Sequence, residues 1–205
     1  MSKRATPLSY YFLQDMNPVI RFLIISDTVI SGAVGLLGPI FALFIDEFII
    51  GADASVVGLA AGIYLFTKSI AQVPIAHFID RIKGEADDFW LMFICSILIA
   101  LIPLLYLFID TPLQLYIVQF ILGLSAAFTF PTYMAIFTRH IDKDKEGTEW
   151  GVYFTLTDLV GATLAAIGGF LVVSQGFPVL IIAVVIVHLI GSLLLWPIKA
   201  YLKGL

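Results

Sequence analysis

Six apolar stretches, each long enough to cross a bilayer, constrain this chain more than any other feature. A hydrocarbon core of about 30 Å needs about 20 mostly apolar helical residues to span it. Residues 19–45, 54–78, 88–109, 112–138, 149–174 and 178–199 meet that length. The breaks between them are short: DEFIIGAD, IDRIKGEAD, DTP, RHIDKDKEGT and SQGFP, each with turn or charge signals. Charged residues make up 13% of the chain and hydrophobic ones 60%, too little charge to cover a water-soluble exterior. The class that remains is an all-α membrane protein with six transmembrane helices.

Orientation follows from Lys and Arg. Ten of the 11 fall at one side: Lys3, Arg4, Arg21, Arg81, Lys83, Arg139, Lys143, Lys145, Lys199 and Lys203. The eleventh, Lys68, lies inside a span, and the opposite breaks hold none. This asymmetry predicts a multi-pass protein of the cell (plasma or inner) membrane with both termini cytoplasmic. Trp90, Trp150 and Trp196 all fall at the predicted cytoplasmic ends of spans, as an interfacial belt requires. Residues 1–18 lack the continuous apolar core and small-residue cleavage site of a signal peptide. They read as a cytoplasmic lead-in, with a surface helix at Tyr10–Leu13, before a membrane domain over 19–205. The single cysteine, Cys95, lies in an apolar run and reads as a small buried hydrophobe.

The two triplets of spans share a pattern. GPIFALF late in span 1 is answered by FPTYMAIF in span 4, and YLFTK in span 2 by YFTLTD in span 5. The triplets cross in opposite senses, so the pattern predicts two inverted three-helix repeats, an arrangement typical of transporters.

Three titratable groups fall at one depth. Asp27 and Asp158 lie about 12 Å, and Lys68 about 15 Å, from the cytoplasmic ends of their spans at 1.5 Å per residue. Each costs about 2.5–3.5 kcal/mol at the bilayer centre unless paired or wet. Their shared level points to one polar site.

The second break, AHFIDRIKG, resembles the loop between spans 2 and 3 of the major facilitator superfamily, Gly-x-Leu-Ala-Asp-Arg-x-Gly-Arg-Lys. Asp80 and Arg81 match; Ala76 replaces the leading Gly, and Lys83-Gly84 replaces the later Gly-Arg. QFILGLSAA in span 4 is similar to the family's Arg-x-x-x-Gly, with Gln119 in place of the Arg. LAAIGGFL in span 5 is similar to the antiporters' Gly-Pro-x-x-Gly-Gly, keeping Gly168 and Gly169. Family members have about twelve spans in two halves, so the resemblance implies one half-domain, completed by a second copy of the chain as a homodimer.

The resemblance also implies roles. Asp80, with Arg81, meets the start of the partner's span 5, near Glu149–Gly151, as a cytoplasmic gate. Span 1 lies beside span 5, so Asp27 and Asp158 form a carboxylate pair, and Lys68 reaches Asp158 of the partner. These three either carry proton coupling or form a static ion pair. Gln119 departs from the Arg tied to coupling, which leaves a uniporter open. Family members line the cavity with spans 1 and 4. Ser31, Gln119, Thr129 and Tyr133 are therefore substrate-contact candidates, with Tyr64 and Gln72 on the Lys68 stripe. His188 reads as structural, and His77 and His140 as solvated.

The expected function is a secondary transporter of a small solute by alternating access, proton-linked, with export suggested by the span 5 glycines. Two acids against one base suggest an amphipathic or cationic solute. The alternatives are a membrane scaffold or regulatory subunit, or one half of a heteromeric transporter. No nucleophile–base pair, metal cluster or phosphate loop suggests an enzyme, a cofactor or a metal. No basic stripe suggests nucleic acid. The expected partners are lipid, a small solute, protons and a second copy.

Overall fold

Each break in the apolar pattern carries the chemistry that starts or stops a helix. The computed structural model describes residues 7–81 and 84–202, so Lys3, Arg4, Lys83 and Lys203 lie outside the described residues. Six helices are long and apolar enough to cross a membrane: span 1 Pro18–Phe48, span 2 Ala54–Arg81, span 3 Ala86–Phe108, span 4 Pro112–His140, span 5 Glu146–Gln175 and span 6 Phe177–Ala200.

Asn17 caps span 1, its side chain accepting from the Val19 N–H at 2.9 Å, with Pro18 at the first helical position. Asp53 caps span 2 through the N–H groups of Ser55 and Val56, at 2.9 and 3.1 Å. Thr111 and Gln114 form a capping box on span 4. Gly176, at φ 82°, turns the chain out of span 5 into span 6. Prolines mark the irregular places. Span 1 tightens to a 3₁₀ turn at Gly38–Ile40, and span 3 ends as 3₁₀ over Ile102–Phe108, where Pro39 and Pro103 lack the N–H of a regular ladder. Pro131, by contrast, sits inside an unbroken helix.

Neighbouring spans follow the order 2–4–3–6–1–5 around the bundle, with lighter contacts between spans 5 and 6 and between spans 1 and 4. Exchanging spans 1, 2 and 3 with 4, 5 and 6 maps the main pairings and the 1–4 contact onto themselves, which is consistent with two three-helix repeats, although the 5–6 contact has no comparable counterpart between spans 2 and 3 among the described residues. Small residues set the two outer pairings. A Cβ on Gly35 would lie 2.5 Å from the Gly161 carbonyl oxygen, and one on Gly168 would overlap that of Leu36, so spans 1 and 5 touch backbone to backbone. Gly123 does the same for spans 4 and 2, against the Tyr64 carbonyl at 2.6 Å. Packing therefore accounts for Gly168 without reference to transport direction.

Phe22 stacks on Tyr201, so the start of span 1 and the end of span 6 share one end, the terminal end. One apolar cluster fills that end, around Ile20, Phe89, Phe137 and Ile198. A second fills the far end, around Phe44, Tyr106, Leu115 and Phe177. Trp150 stacks on Phe137 at 4.3 Å, and Trp90 meets Trp196 edge-on with the Lys199 ammonium over both. Spans 2 and 5 are the least covered: 11% and 6% of their apolar windows are buried, against 39% in span 1. Phe66, Val73, Phe170 and Val173 stand exposed on them, as a lipid or helix partner requires.

Candidate functional site

Asp27 is the intramembrane charge that this chain partners for itself. Spans 1 and 5 run side by side, and the Tyr153 hydroxyl of span 5 donates to Asp27 Oδ2 at 2.7 Å. The Tyr133 ring of span 4 lies 6.0 Å from that of Tyr153, and Phe137 packs against both. A carboxylate from span 1 thus sits in an aromatic setting built by spans 4 and 5. A hydrogen bond to an ionised group is about twice as strong as a neutral one, so Tyr153 ties these helices most firmly while Asp27 is charged.

Asp27 and Asp158 do not form the pair expected from the sequence. Asp158 follows Tyr153 by five residues, about 140° around the helix, so it points to the uncovered face of span 5. Lys68 is half-buried on span 2, its ammonium 4.8 Å from the centre of the Phe130 ring. Neither Lys68 nor Asp158 has an ion-pair partner among the described residues.

A cavity of about 290 Å³ opens between spans 1, 2, 3, 4 and 6. Its polar groups are Tyr64, Tyr106, Gln119 and His188; the rest of its wall is apolar. Gln119 Nε2 donates to the Tyr106 hydroxyl at 3.2 Å. Of the six cavity candidates, Tyr64 and Gln119 line it. Gln72 instead lines a shallow groove between spans 2 and 4, with His77, Asp80 and Arg139. Ser31 lies one turn beyond Asp27 on the same stripe, which continues to Gly35 against span 5. Thr129 donates back to the Ser125 carbonyl at 3.2 Å, and Tyr133 belongs with Asp27. Tyr106 was not among the expected residues: it follows Pro103 in the 3₁₀ segment, where helical periodicity gives no phase. His188 was expected as a structural hydrogen-bonder, yet it lines the cavity.

The terminal end is tied by polar contacts. Asp88, buried at the start of span 3, pairs with Arg139 at the end of span 4. His140 is held as well, Nδ1 3.0 Å from the Ile136 carbonyl and Nε2 3.6 Å from Glu85, where the sequence suggested a solvated side chain. The lead-in is strapped down: Leu8–Tyr11 forms one helical turn and buries Tyr10. The Tyr10 hydroxyl lies 2.5 Å from Oε1 of the fully buried Glu149 and 2.9 Å from Asp142 Oδ2. Asp142 also accepts from the Asn17 N–H at 3.2 Å, and the Lys145 ammonium lies over the Tyr10 ring at 5.3 Å. Burial, then the hydrogen bonds to Glu149 and Asp142, push the Tyr10 phenol well above its ordinary value. Asp80 and Arg81 are exposed, and the Asp80 side chain makes no hydrogen bond to another described residue. On the outer side of span 5 a groove of about 370 Å³ is lined by Tyr11, Gly147, Thr148, Gly151 and Thr155.

A family model for the Major Facilitator Superfamily matches residues 23–202, from the second turn of span 1 to beyond span 6. No curated protein matches the chain.

Proposed function

The chain belongs to the major facilitator superfamily, a family of membrane transporters, and from that premise we propose that it moves a small solute by alternating access against a second six-helix half. The partner half in this reading is a second copy, and the terminal end faces the cytoplasm of a cell membrane, following the bias of Lys and Arg.

The observation that carries the reading is the pair of opposite, unpaired charges on the two least covered helices. Asp158 lies about 18 Å from the start of span 5, and Lys68 about 20 Å from the end of span 2, at 1.5 Å per residue. Both distances run from the terminal end. A two-fold axis along the membrane normal brings span 2 of each copy to span 5 of the other and makes two Lys68–Asp158 pairs. Loss of one member strands a desolvated charge, at about 3–5 kcal/mol per buried pair. In the same arrangement Asp80 meets the start of the partner's span 5, near Gly147 and Gly151. The free N–H groups and partial positive charge there favour an acid.

Asp27 is the proton site in this reading. Protonation removes the charge-assisted bond to Tyr153, so the contact between spans 1 and 5 responds to a proton. Lys68 and Asp158 then serve the assembly rather than the coupling.

The test is the mass of the complex in a native-like bilayer. A dimer is expected, with Lys68→Glu and Asp158→Lys each weakening it and the double exchange restoring it. A monomer insensitive to both rejects the homodimer, and recovery with an unlike six-helix chain assigns the partner half to that chain. Asp27→Asn in proteoliposomes is expected to abolish pH-driven flux. Full retention removes the proton and leaves a uniporter.

A further inference from the structure

Two acids against one base suggested a cationic solute, but the cavity inside the bundle contains no acid. Asp27 is turned to Tyr153, and Asp158 lies on the outer face of span 5. None of the residues around the 290 Å³ cavity is Asp, Glu, Lys or Arg. An ion entering there would leave its water without a counter-charge, at an effective cost of several kcal/mol.

The cavity nevertheless holds polar groups of a kind that interiors rarely leave idle. Tyr106, Gln119 and His188 are each at least nine-tenths buried, and all three line it. One hydrogen bond joins them, from Gln119 Nε2 to the Tyr106 oxygen. The Tyr106 hydroxyl proton, Gln119 Oε1 and the His188 ring nitrogens have no partner among the described residues. Buried polar groups are almost always bonded to protein, water or ligand. Here donors and acceptors stand together in an otherwise apolar wall of Phe41, Leu37, Leu122 and Val184. A cavity near the small end of the usual range for ligand sites suits one ring system or a short chain.

We propose that this cavity binds an uncharged small molecule with an apolar body and a hydroxyl, amide or carbonyl group, held by Gln119, Tyr106 and His188. The ligand lies inside one half, reaching spans 3 and 6, rather than only at the surface that faces a second half. The proposal rests on the transport reading for its purpose, but binding itself needs neither flux nor a dimer.

Three indoles that differ mainly in charge test it: tryptophol (neutral), tryptamine (cation) and indole-3-acetate (anion). Binding of each labelled probe to the full chain in nanodiscs is measured by equilibrium dialysis, with empty discs correcting for partition into lipid. Saturable binding is expected for tryptophol, at least tenfold weaker for the two ions. Gln119→Leu is expected to weaken tryptophol about tenfold, since one hydrogen bond is lost and a polar group is left unpaired. Gln119→Glu is expected to reverse the preference towards tryptamine, a gain that a misfolded variant cannot imitate. No saturable tryptophol binding, tighter binding of either ion by the unmodified chain, or a Gln119→Glu variant that binds tryptophol unchanged overturns the proposal. Neutral binding without flux rejects the transport reading and leaves the site. Flux of a charged solute without neutral binding rejects the site and leaves transport.

Discussion

Aromatic rings pack both ends of the bundle, but among the described residues only one end adds ionic ties between its elements. At the far end, Phe41, Phe44, Phe48, Tyr106 and Phe177 meet ring to ring, with centroids 5.1–5.9 Å apart. A backbone tie across that end's loops joins the Ile50 N–H to the Asp110 carbonyl at 2.8 Å. At the terminal end rings also meet across elements, as Trp90 with Trp196 and Phe137 with Trp150, but ionic or charge-assisted ties are added to them: Asp88 with Arg139, Glu85 with His140, and Tyr10 with Glu149 and Asp142. Aromatic packing is indifferent to salt and pH. Polar ties near water are modest, screened and reversible. The terminal end is therefore the one whose closure conditions in solution can adjust, and the family's Asp80–Arg81 loop lies there too.

The comparison breaks first at Phe44, which is essentially inaccessible and touches four rings. Phe44→Ala is expected to destabilise the chain by about 3–5 kcal/mol, the usual range for a buried aromatic truncated to alanine. Measured by thermal unfolding, the loss should be the same in low and high salt. A loss that shrinks with salt would mean that the far end also leans on charge.

Asp88→Asn comes next. Asp88 is 3% exposed but its partner Arg139 is 39% exposed, so solvent screens part of the pair. A loss of about 1–2 kcal/mol is expected, below that of a fully buried pair. Raising the salt should narrow the gap to the parent chain, and Arg139→Gln added to Asp88→Asn should cost little more. An additive double variant would show that the two residues act separately.

The same contrast explains what could be read from the residues alone. Span lengths were legible because bilayer thickness dictates them, and the breaks carried Asp53, Thr111 and Gly176 where caps and turns belong. Which residues face one another was not legible. Spans 2 and 5 are apolar on nearly all sides, so no amphipathic face fixes their rotation, and a shared depth cannot tell Asp158 from Tyr153 as the neighbour of Asp27. Tyr64 was found from its helical stripe with Lys68, and Gln119 because it stands in place of the family's Arg on a span expected to line the cavity. Tyr106 and His188 reach the same cavity from spans 3 and 6, which nothing in their local sequence marks. The Tyr10–Glu149 contact joins positions 139 residues apart and has no local signature at all.

Tyr10→Phe sharpens the terminal side. The phenol's pKa is raised in the folded chain, so its contribution is full below the ordinary value near 10 and is lost as pH climbs towards the folded value. Tyr10→Phe is expected to lose about 0.5–1.5 kcal/mol at neutral pH. Hydrogen exchange across residues 7–17 should quicken above about pH 10 in the parent chain and change far less with pH in the variant. Equal alkaline release in both would assign the strap to its apolar contacts.

The smallest effect belongs to Asp53, the far end's own titratable tie. Hydrogen bonds from the Ser55 hydroxyl and from the Val56 and Ser55 N–H groups hold its carboxyl below the usual range. A depressed pKa contributes stability above the ordinary value near 4, lost as pH falls through the lower folded value. Asp53→Asn keeps an acceptor for the cap but has nothing to titrate. Exchange at the Val56 N–H should therefore quicken in acid in the parent chain and stay level in Asp53→Asn. The cap lies within one span, so acid should fray the first turn of span 2 and leave the aromatic cluster closed. Tyr10, by contrast, joins the lead-in, the loop after span 4 and span 5, so its loss should reach all three. If acid at Asp53 also loosened Phe44 and Phe177, the far end would share the terminal end's sensitivity, and the division between a fixed end and an adjustable one would fail.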